Sequence, residues 1–398
     1  MTSRSIHPFP ARMAPDLALD YLPELEGKQA LTVLDPMCGS GTVVAAAASR
    51  GHKAVGVDID PLAVLMSSVS TSEWSGAGLH DAAVARVVRA SRLSTSVTPW
   101  PATDEATLKF AKFWFGQTQL DQLNPLSRAI GELEDGPLKR ALQIALSRII
   151  VTKSPRASLA GDTSHSRPHR IVTENDYNVW DGFLDSARQV ERLLTKRTIT
   201  GSASVSLGDS RNLTIVGNST ADLAITSPPY LNALDYLRGH KMSLIWMGYS
   251  IESLRRIRSE SIGAERALDD EPSERVKELR NYAIGGAENP LLPIGTITRY
   301  AHDMSKFADE MRRVLKPSAR LVVVVGNSHL KGSPVSNDGL TRLALEQAGF
   351  STQSRLERVI PANKRYLPIS RGYAGVSMEK RMKTEVVLSM RAPSTARL

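Results

Sequence analysis

Residues 225–230 of this 398-residue chain read Ile225-Thr226-Ser227-Pro228-Pro229-Tyr230. Two adjacent prolines lock two φ angles and remove two backbone donors. Pro228 also holds Ser227 away from the helical region. The run that leads in, 221–226, is apolar and reads as a buried strand. The strand therefore ends on a stiff corner that fixes a hydroxyl, some carbonyls and an aromatic ring. Such groups accept hydrogen bonds and stack on flat ligands. None of them is a charged base.

A second cluster lies between an apolar run at 31–35 and a helix-like run at 42–50. It reads Leu34-Asp35-Pro36-Met37-Cys38-Gly39-Ser40-Gly41-Thr42. Glycines in such a strand-to-helix turn let a ligand reach the N–H groups at the helix N-terminus. Dinucleotide-binding proteins hold a pyrophosphate there. The third glycine of their pattern is Val44 here, which argues against a nicotinamide enzyme. Asp58 ends the next strand, 54–58, and lies 17 residues after Gly41. A carboxylate at that point can take both hydroxyls of a ribose. The loop reads as a nucleoside site whose tail need not be a diphosphate. Cys38 reads as a small packed side chain within it. Asp60 and Pro61 read as the N-cap and first residue of the following helix, a structural role.

Elements of a regular kind must position these clusters. The chain opens strand, turn, helix, strand, helix, the start of a parallel α/β sheet with right-handed crossovers. The alternation stops over 71–200, which reads as helical and irregular. Residues 109–126 are aromatic-rich, 138–151 form a helix by their period, and 152–170 read as a polar, basic loop. Alternation resumes near 203, with strands at 203–209 and 221–227 and a helix over 232–248. Residues 252–280 carry seven basic and eight acidic side chains, which reads as a solvated helical hairpin. A helix over 300–317 stopping at Lys316-Pro317, a buried strand at 319–327, a helix ending at Gly349 and a last strand at 384–390 complete the pattern. The chain thus divides into a first catalytic part with the glycine loop (1–70), a helical insertion (71–200), a catalytic-motif part (201–249), a charged helical insertion (250–295) and a last catalytic part (296–398). No internal repeat or long low-complexity tract interrupts it.

Composition narrows the partners. Hydrophobic residues make up 41% and charged residues 23%, ordinary values for a globular chain. The formal net charge of +9 favours an anionic partner, nucleic acid first. The single cysteine, Cys38, excludes an internal disulfide and a cysteine-based zinc site. His165 and His169 are four apart but have no further ligand, so no metal is expected. The first residues lack the apolar core of a signal peptide, and no apolar run reaches the ~20 residues of a membrane span. No membrane association and a cytoplasmic location are the expectations.

The motifs together resemble those of the S-adenosylmethionine-dependent amino-group DNA methyltransferases, and especially the N4-cytosine type, whose catalytic motif is commonly Ser-Pro-Pro-Tyr. The resemblance covers most of the chain. Residues 7–22 look like the motif before the cofactor loop, 34–42 like the loop and 56–63 like the ribose-binding strand end. Residues 207–213 look like the adenine-side motif, 225–230 like the catalytic corner and 313–328 like the late helix–strand unit. Two departures are Met37, where the family commonly has phenylalanine, and Lys316-Pro317-Ser318-Ala319-Arg320, where it commonly has Lys-Pro-Gly-Gly. Neither removes a chemical group. The resemblance implies an α/β fold: a Rossmann-like, doubly wound methyltransferase sheet with largely helical insertions. It implies S-adenosyl-L-methionine as cofactor, held by His7, Pro10, Asp35, Pro36, Cys38, Gly39, Gly41, Thr42, Asp58, Ile59, Asp209 and Ser210, with Asp209 facing the adenine amine. It implies catalysis by Ser227, Pro228, Pro229 and Tyr230. Methylating an exocyclic amine needs acceptors on its N–H groups, and the Ser227 hydroxyl and the Pro228 carbonyl can be those acceptors. Tyr230 can stack on a base turned out of the duplex. Adenine enzymes commonly have aspartate at the Ser227 position, so serine favours cytosine.

Double-stranded DNA is the expected partner, with a cognate restriction endonuclease as a possible system partner. The expected DNA contacts lie in two basic stretches: Lys153, Arg156, Arg167 and Arg170 in one, Arg355, Lys364, Arg365 and Arg371 in the other. Two alternatives stand beside this reading. One is an N6-adenine DNA or RNA base-amine methyltransferase. The other is a catalytically idle DNA-binding subunit, against which the complete glycine loop and corner both speak.

Overall fold

Val322 and Val324 face one side of a central sheet, and Leu321, Val323 and Val325 face the other. A strand buried on both faces is apolar at every position, as this one is. The computed structural model describes residues 6–8, 13, 15–24, 29–74, 78–93, 104–163, 168–231, 236–264, 268, 270–286, 289–360 and 383–395.

The sheet has seven strands: β1 (Thr32–Asp35), β2 (Lys53–Asp58), β3 (Ser202–Leu207), β4 (Ala221–Thr226), β5 (Leu315–Val325), β6 (Ser351–Val359) and β7 (Thr384–Arg391). Their spatial order is β6-β7-β5-β4-β1-β2-β3. Only β7 runs against its neighbours β5 and β6. The order reverses direction at β1 and β4, which pair in parallel. In doubly wound sheets the crevice at such a switch point, beyond the strand C-termini, is where ligands bind.

Helices cover both faces. On one lie α1 (Pro15–Tyr21) and α2 (Thr42–Ser49), packed on Val33, Leu223, Ile225 and Val387. On the other lie α11 (Glu274–Ile284), α12 (Ile294–Val314) and α13 (Asn337–Gln347). A further helical body has its own core. Helix α3 (Pro61–Thr71) supplies one wall of it. The rest comes from α4 (Leu79–Ser91), α5 (Glu105–Trp114), α6 (Gln117–Gly131), α7 (Pro137–Ile150), α8 (Val179–Leu194), α9 (Leu237–Leu244) and α10 (Ile251–Glu260).

Three expectations are corrected. The charged stretch does not fold as a hairpin: Ile251 and Leu254 of α10 are buried, Leu254 in the helical body, whereas Val276, Leu279 and Ala283 of α11 pack under the sheet. The basic stretch 152–170 is not a solvated loop throughout, because residues 157–161 are buried and Ala160–Gly161 pairs with His169–Arg170. Residues 351–359, read as a basic surface stretch from 354, form the edge strand β6. The first four residues of the expected 232–248 helix lie outside the described residues; the remainder is α9 and one 3₁₀ turn.

Candidate active site

The glycine loop follows directly from β1. Gly39 and Gly41 adopt φ of 51° and 80°, in the left-handed region that favours glycine. A Cβ at Gly41 would sit 2.4 Å from the Ser67 hydroxyl, so the loop lies flat against α3. Cys38 donates its N–H to Val57 O at 3.0 Å, and its thiol receives the Ser67 hydroxyl at 3.3 Å. It is the buried packing residue that its small size suggests, and burial raises its thiol well above the usual range. Asp35 and Pro36 are buried beneath the loop, and Thr42 opens α2.

Asp58, at the end of β2, holds this loop. Its Oδ2 accepts the Gly39 N–H at 2.8 Å and its Oδ1 accepts the Asp60 N–H at 2.9 Å. Burial, then the Asp60 carboxylate, push its pKa up to about 6. Burial pushes Asp35 up to about 7. Each Asp58 oxygen thus carries one backbone donor, and the carboxylate stays partly open to solvent. Gly39 and Gly41 leave the cradle bare of side chains. The residues fit a nucleoside with adjacent hydroxyls. Ile59 is half-buried beside Asp58, and Asp60 caps α3 through Leu62 N at 2.9 Å, as its sequence context indicates.

Asp209, expected to face an amine, is engaged by an arginine and stays partly exposed. Arg211 takes it with Nη2 at 2.6 Å and Nε at 3.0 Å, and the same guanidinium reaches Asp303 at 2.6 Å. Ser210 beside it is buried. His7 is buried against Ser147, its Nε2 2.8 Å from the hydroxyl. Pro10 lies outside the described residues.

The Ser227–Tyr230 corner sits one strand over, at the end of β4. Ser227 donates its hydroxyl proton to Val324 O at 3.0 Å, and its oxygen is 3.4 Å from the Tyr230 hydroxyl. A hydroxyl has one proton and two lone pairs. With the proton given to a buried β5 carbonyl, the oxygen keeps its lone pairs as acceptors, one of them toward the Tyr230 hydroxyl. The chain beyond Tyr230 is pinned as well: Ser328 donates to Leu231 O, and Asn337 Nδ2 donates to Ser328 Oγ at 2.8 Å and to Gly326 O at 2.9 Å. Burial raises the Tyr230 phenol far above its usual range, so the ring stays neutral. Tyr236 is treated the same way by burial and by the neighbouring Tyr230 and Asp58.

The basic residues separate into two kinds. Lys153 and Arg156 are exposed on the loop after α7. That loop packs on α9, where a Cβ at Gly239 would meet Thr163 O at 2.1 Å. Arg170 is exposed but donates to Val172 O and Thr173 O and lies over the Phe113 ring at 5.9 Å. Arg355 is paired with Asp338 at 2.6 Å. Arg167, Lys364, Arg365 and Arg371 lie outside the described residues. The stretch holding the last three leaves β6 at Ile360 and rejoins at Lys383, whose carbonyl accepts Ile360 N–H at 2.7 Å. Both ends are at the C-terminal edge of β5, the edge of the corner. No cluster of three metal-ligating side chains occurs among the described residues, and no helix among them is long and apolar enough to cross a membrane.

Sequence motifs miss His240. Its Nδ1–H donates to Asp60 Oδ2 at 2.5 Å, joining α9 to the loop after β2. The two residues are 180 apart in the chain, and no local pattern announces the contact.

The family model for thiopurine S-methyltransferase matches residues 3–113, the part that contains the glycine loop. The chain is similar to the Type II methyltransferase M.MvaI of Kocuria varians, 22% identical over 83% of this chain and 78% of that one. It is similar to the Type II methyltransferase M.BsoBI of Geobacillus stearothermophilus, 20% identical over 80% of this chain and 73% of the other. Among solved structures, an S-adenosylmethionine-dependent methyltransferase from Methanosarcina mazei aligns over 97% of this chain and 100% of its own, at 10% identity and a TM-score of 0.36. The fold is a doubly wound, mainly parallel seven-stranded sheet, and the similar sequences are Type II methyltransferases at low identity.

Proposed function

We propose that this chain is a DNA methyltransferase that moves a methyl group from S-adenosylmethionine to the N4 amine of cytosine. The enzyme class, the cofactor and DNA as substrate are supported by the sheet and by the two Type II relatives. The cytosine assignment is carried by Ser227 itself, an uncharged residue where adenine enzymes commonly have aspartate. Its hydroxyl gives its proton to Val324 O at 3.0 Å, which leaves the oxygen as an acceptor.

Bound S-adenosylmethionine supplies an electrophilic methyl group on a sulfonium. Asp58 and the bare Gly39–Gly41 backbone hold the nucleoside end. At the other side of the switch point, Ser227 Oγ and the Pro228 carbonyl accept the two N–H groups of the exocyclic amine. Acceptors there turn the nitrogen lone pair out of conjugation with the ring and toward the methyl group. The work is orientation and fixed dipoles rather than proton abstraction by a charged base. The base must leave the helix to reach this crevice, and Tyr230 supplies a neutral ring to stack on it.

Mass spectrometry of nucleosides from DNA incubated with the protein and isotopically labelled S-adenosylmethionine tests the assignment. Labelled N4-methylcytosine is expected. Labelled N6-methyladenine would overturn the role given to Ser227, and label in RNA but not DNA would overturn the substrate.

A further inference from the structure

His240 is buried on α9, ten residues after Tyr230. From it one unbroken line of hydrogen bonds enters the glycine loop. His240 Nδ1–H donates to Asp60 Oδ2 at 2.5 Å, Asp60 N–H to Asp58 Oδ1 at 2.9 Å, and Gly39 N–H to Asp58 Oδ2 at 2.8 Å. Behind His240 the line continues. Ser243 donates to the His240 carbonyl at 3.1 Å, Ser147 donates to Ser243 at 3.0 Å, and His7 Nε2 meets Ser147 at 2.8 Å. The Tyr236 ring, next to the corner, lies nearly parallel to the His240 ring, with 25° between planes and 6.3 Å between centroids.

Asp60 is the hinge of this arrangement. It is buried, so its carboxylate has little water to turn to. One oxygen caps α3 and the other holds His240. If α9 moves, Asp60 must follow or leave a buried charge unpaired, which is costly. The Asp60 backbone N–H is held by Asp58, and Asp58 holds Gly39. Hydrogen bonds thus connect the chain before β1, the glycine loop and the helix behind the corner.

We propose that His240 is a positioning residue that couples the cofactor site to the base site. Filling the Asp58 side fixes Asp60, and through His240 it fixes α9 and Tyr236 in the base-accepting position. The proposal rests on the functional reading above, which assigns Asp58 to the cofactor and residues 227–230 to the base.

The experiment measures the affinity for S-adenosylhomocysteine by calorimetry, with and without excess unmodified genomic DNA. Coupled sites commonly change each other's affinity by about 5–150-fold. The wild-type chain is expected to bind the nucleoside at least about fivefold more tightly with DNA present. In His240→Ala that ratio is expected to fall near one while affinity without DNA changes little. His240→Asn, which keeps a donor near the Nδ1 position, is expected to recover most of the ratio. A wild-type ratio in His240→Ala overturns the proposal, and so does an equal loss of affinity with and without DNA. If His240→Ala does not fold, Asp60→Asn serves: its carbonyl keeps the α3 cap, its amide faces the Nδ1–H, and the ratio is expected to collapse. If the wild-type chain binds no S-adenosylhomocysteine, the cofactor reading itself fails. If it binds the nucleoside and methylates DNA while the ratio survives in every variant, only the coupling fails.

Discussion

Gly39 and Asp58 meet across the ends of neighbouring strands, the glycine N–H 2.8 Å from the carboxylate Oδ2. The same carboxylate takes the Asp60 N–H on its other oxygen. Asp58 therefore shapes the loop, and in the proposed function it also faces the ligand. Asp58→Asn keeps one acceptor oxygen and replaces the other by a donor that opposes an N–H. Cofactor affinity is expected to fall about tenfold to a hundredfold, the loss of one or two charge-assisted hydrogen bonds. Calorimetric titration with S-adenosylhomocysteine checks it, and unchanged affinity would contradict the assignment.

Gly41 lies where backbone and space both exclude a side chain. Its φ of 80° strains any L residue, and a Cβ would sit 2.4 Å from Ser67 Oγ and 2.8 Å from Ser67 Cα. Gly41→Ala is expected to weaken cofactor binding at least about tenfold and to lower the melting temperature, since left-handed strain alone costs about 1–2 kcal/mol. Adding Ser67→Ala removes the hydroxyl clash but not the one with the Cα. No rescue is expected from the double variant, and full rescue would mean that the backbone is free to move.

Ser227 gives its hydroxyl proton to Val324 O. In the proposed mechanism Ser227→Ala removes an acceptor from the amine, and kcat is expected to fall about 10²–10³-fold, the usual cost of one preorganised polar contact. Ser227→Asp is a sharper test. Its carboxylate would confront the Val324 carbonyl, which now accepts the serine proton, with no proton to offer. It is expected to be no better than alanine at neutral pH, even though adenine enzymes commonly have aspartate here. Methyl transfer to defined duplexes measures both variants, and a fast Ser227→Asp enzyme would refute the acceptor geometry.

Asp35 gives a prediction in pH. Burial pushes it up to about 7, against about 3.9 in an unfolded chain. Between those values the native state holds a proton that the unfolded state has lost. The native state binds more protons there, so this group makes stability fall as pH rises through the window. The penalty is complete above about pH 7 and absent below about pH 4. Asp35→Asn cannot ionise but keeps an acceptor for Met37 N–H. The melting temperature of Asp35→Asn relative to wild type is therefore expected to rise between pH 4 and 7 and then level off. A difference independent of pH would show that Asp35 titrates normally.

What the sequence reveals of all this is what is local. The Asp60 cap, the glycine loop, the Pro-Pro corner and the apolar β5 are each written in consecutive residues, and each is found where expected. Contacts between distant segments are not written there. Ser227 meets Val324 across 97 residues, and His240 meets Asp60 across 180. Strand β6 is almost wholly exposed, so its residues show no buried alternation, and pairing with β7 alone makes it a strand. Mixed charge in 252–280 suggests a solvated hairpin, but the few apolar residues of α10 and α11 decide the matter by entering two different cores. Asp209 looks like a ligand-facing acid in its motif, and only the fold shows Arg211 and Asp303 around it.

The basic side chains yield the last prediction because the structure sorts them. Lys153 and Arg156 are exposed on the loop that packs over α9, the helix behind the corner. Arg355 is held by Asp338 at 2.6 Å on the flank of the sheet. If the first two meet phosphates, removing them lowers the salt dependence of DNA binding, by about one unit of log–log slope for each contact. Lys153→Ala/Arg156→Ala is expected to reduce that slope by about two and to weaken binding to all sequences alike. Arg355→Ala leaves a nearly buried carboxylate unpaired, so it is expected to lower the melting temperature while the slope stays unchanged. Fluorescence anisotropy of a labelled duplex from low to moderate salt separates the two outcomes. A changed slope in Arg355→Ala, with none in the double variant, would move the DNA path from α9 to the β6 edge.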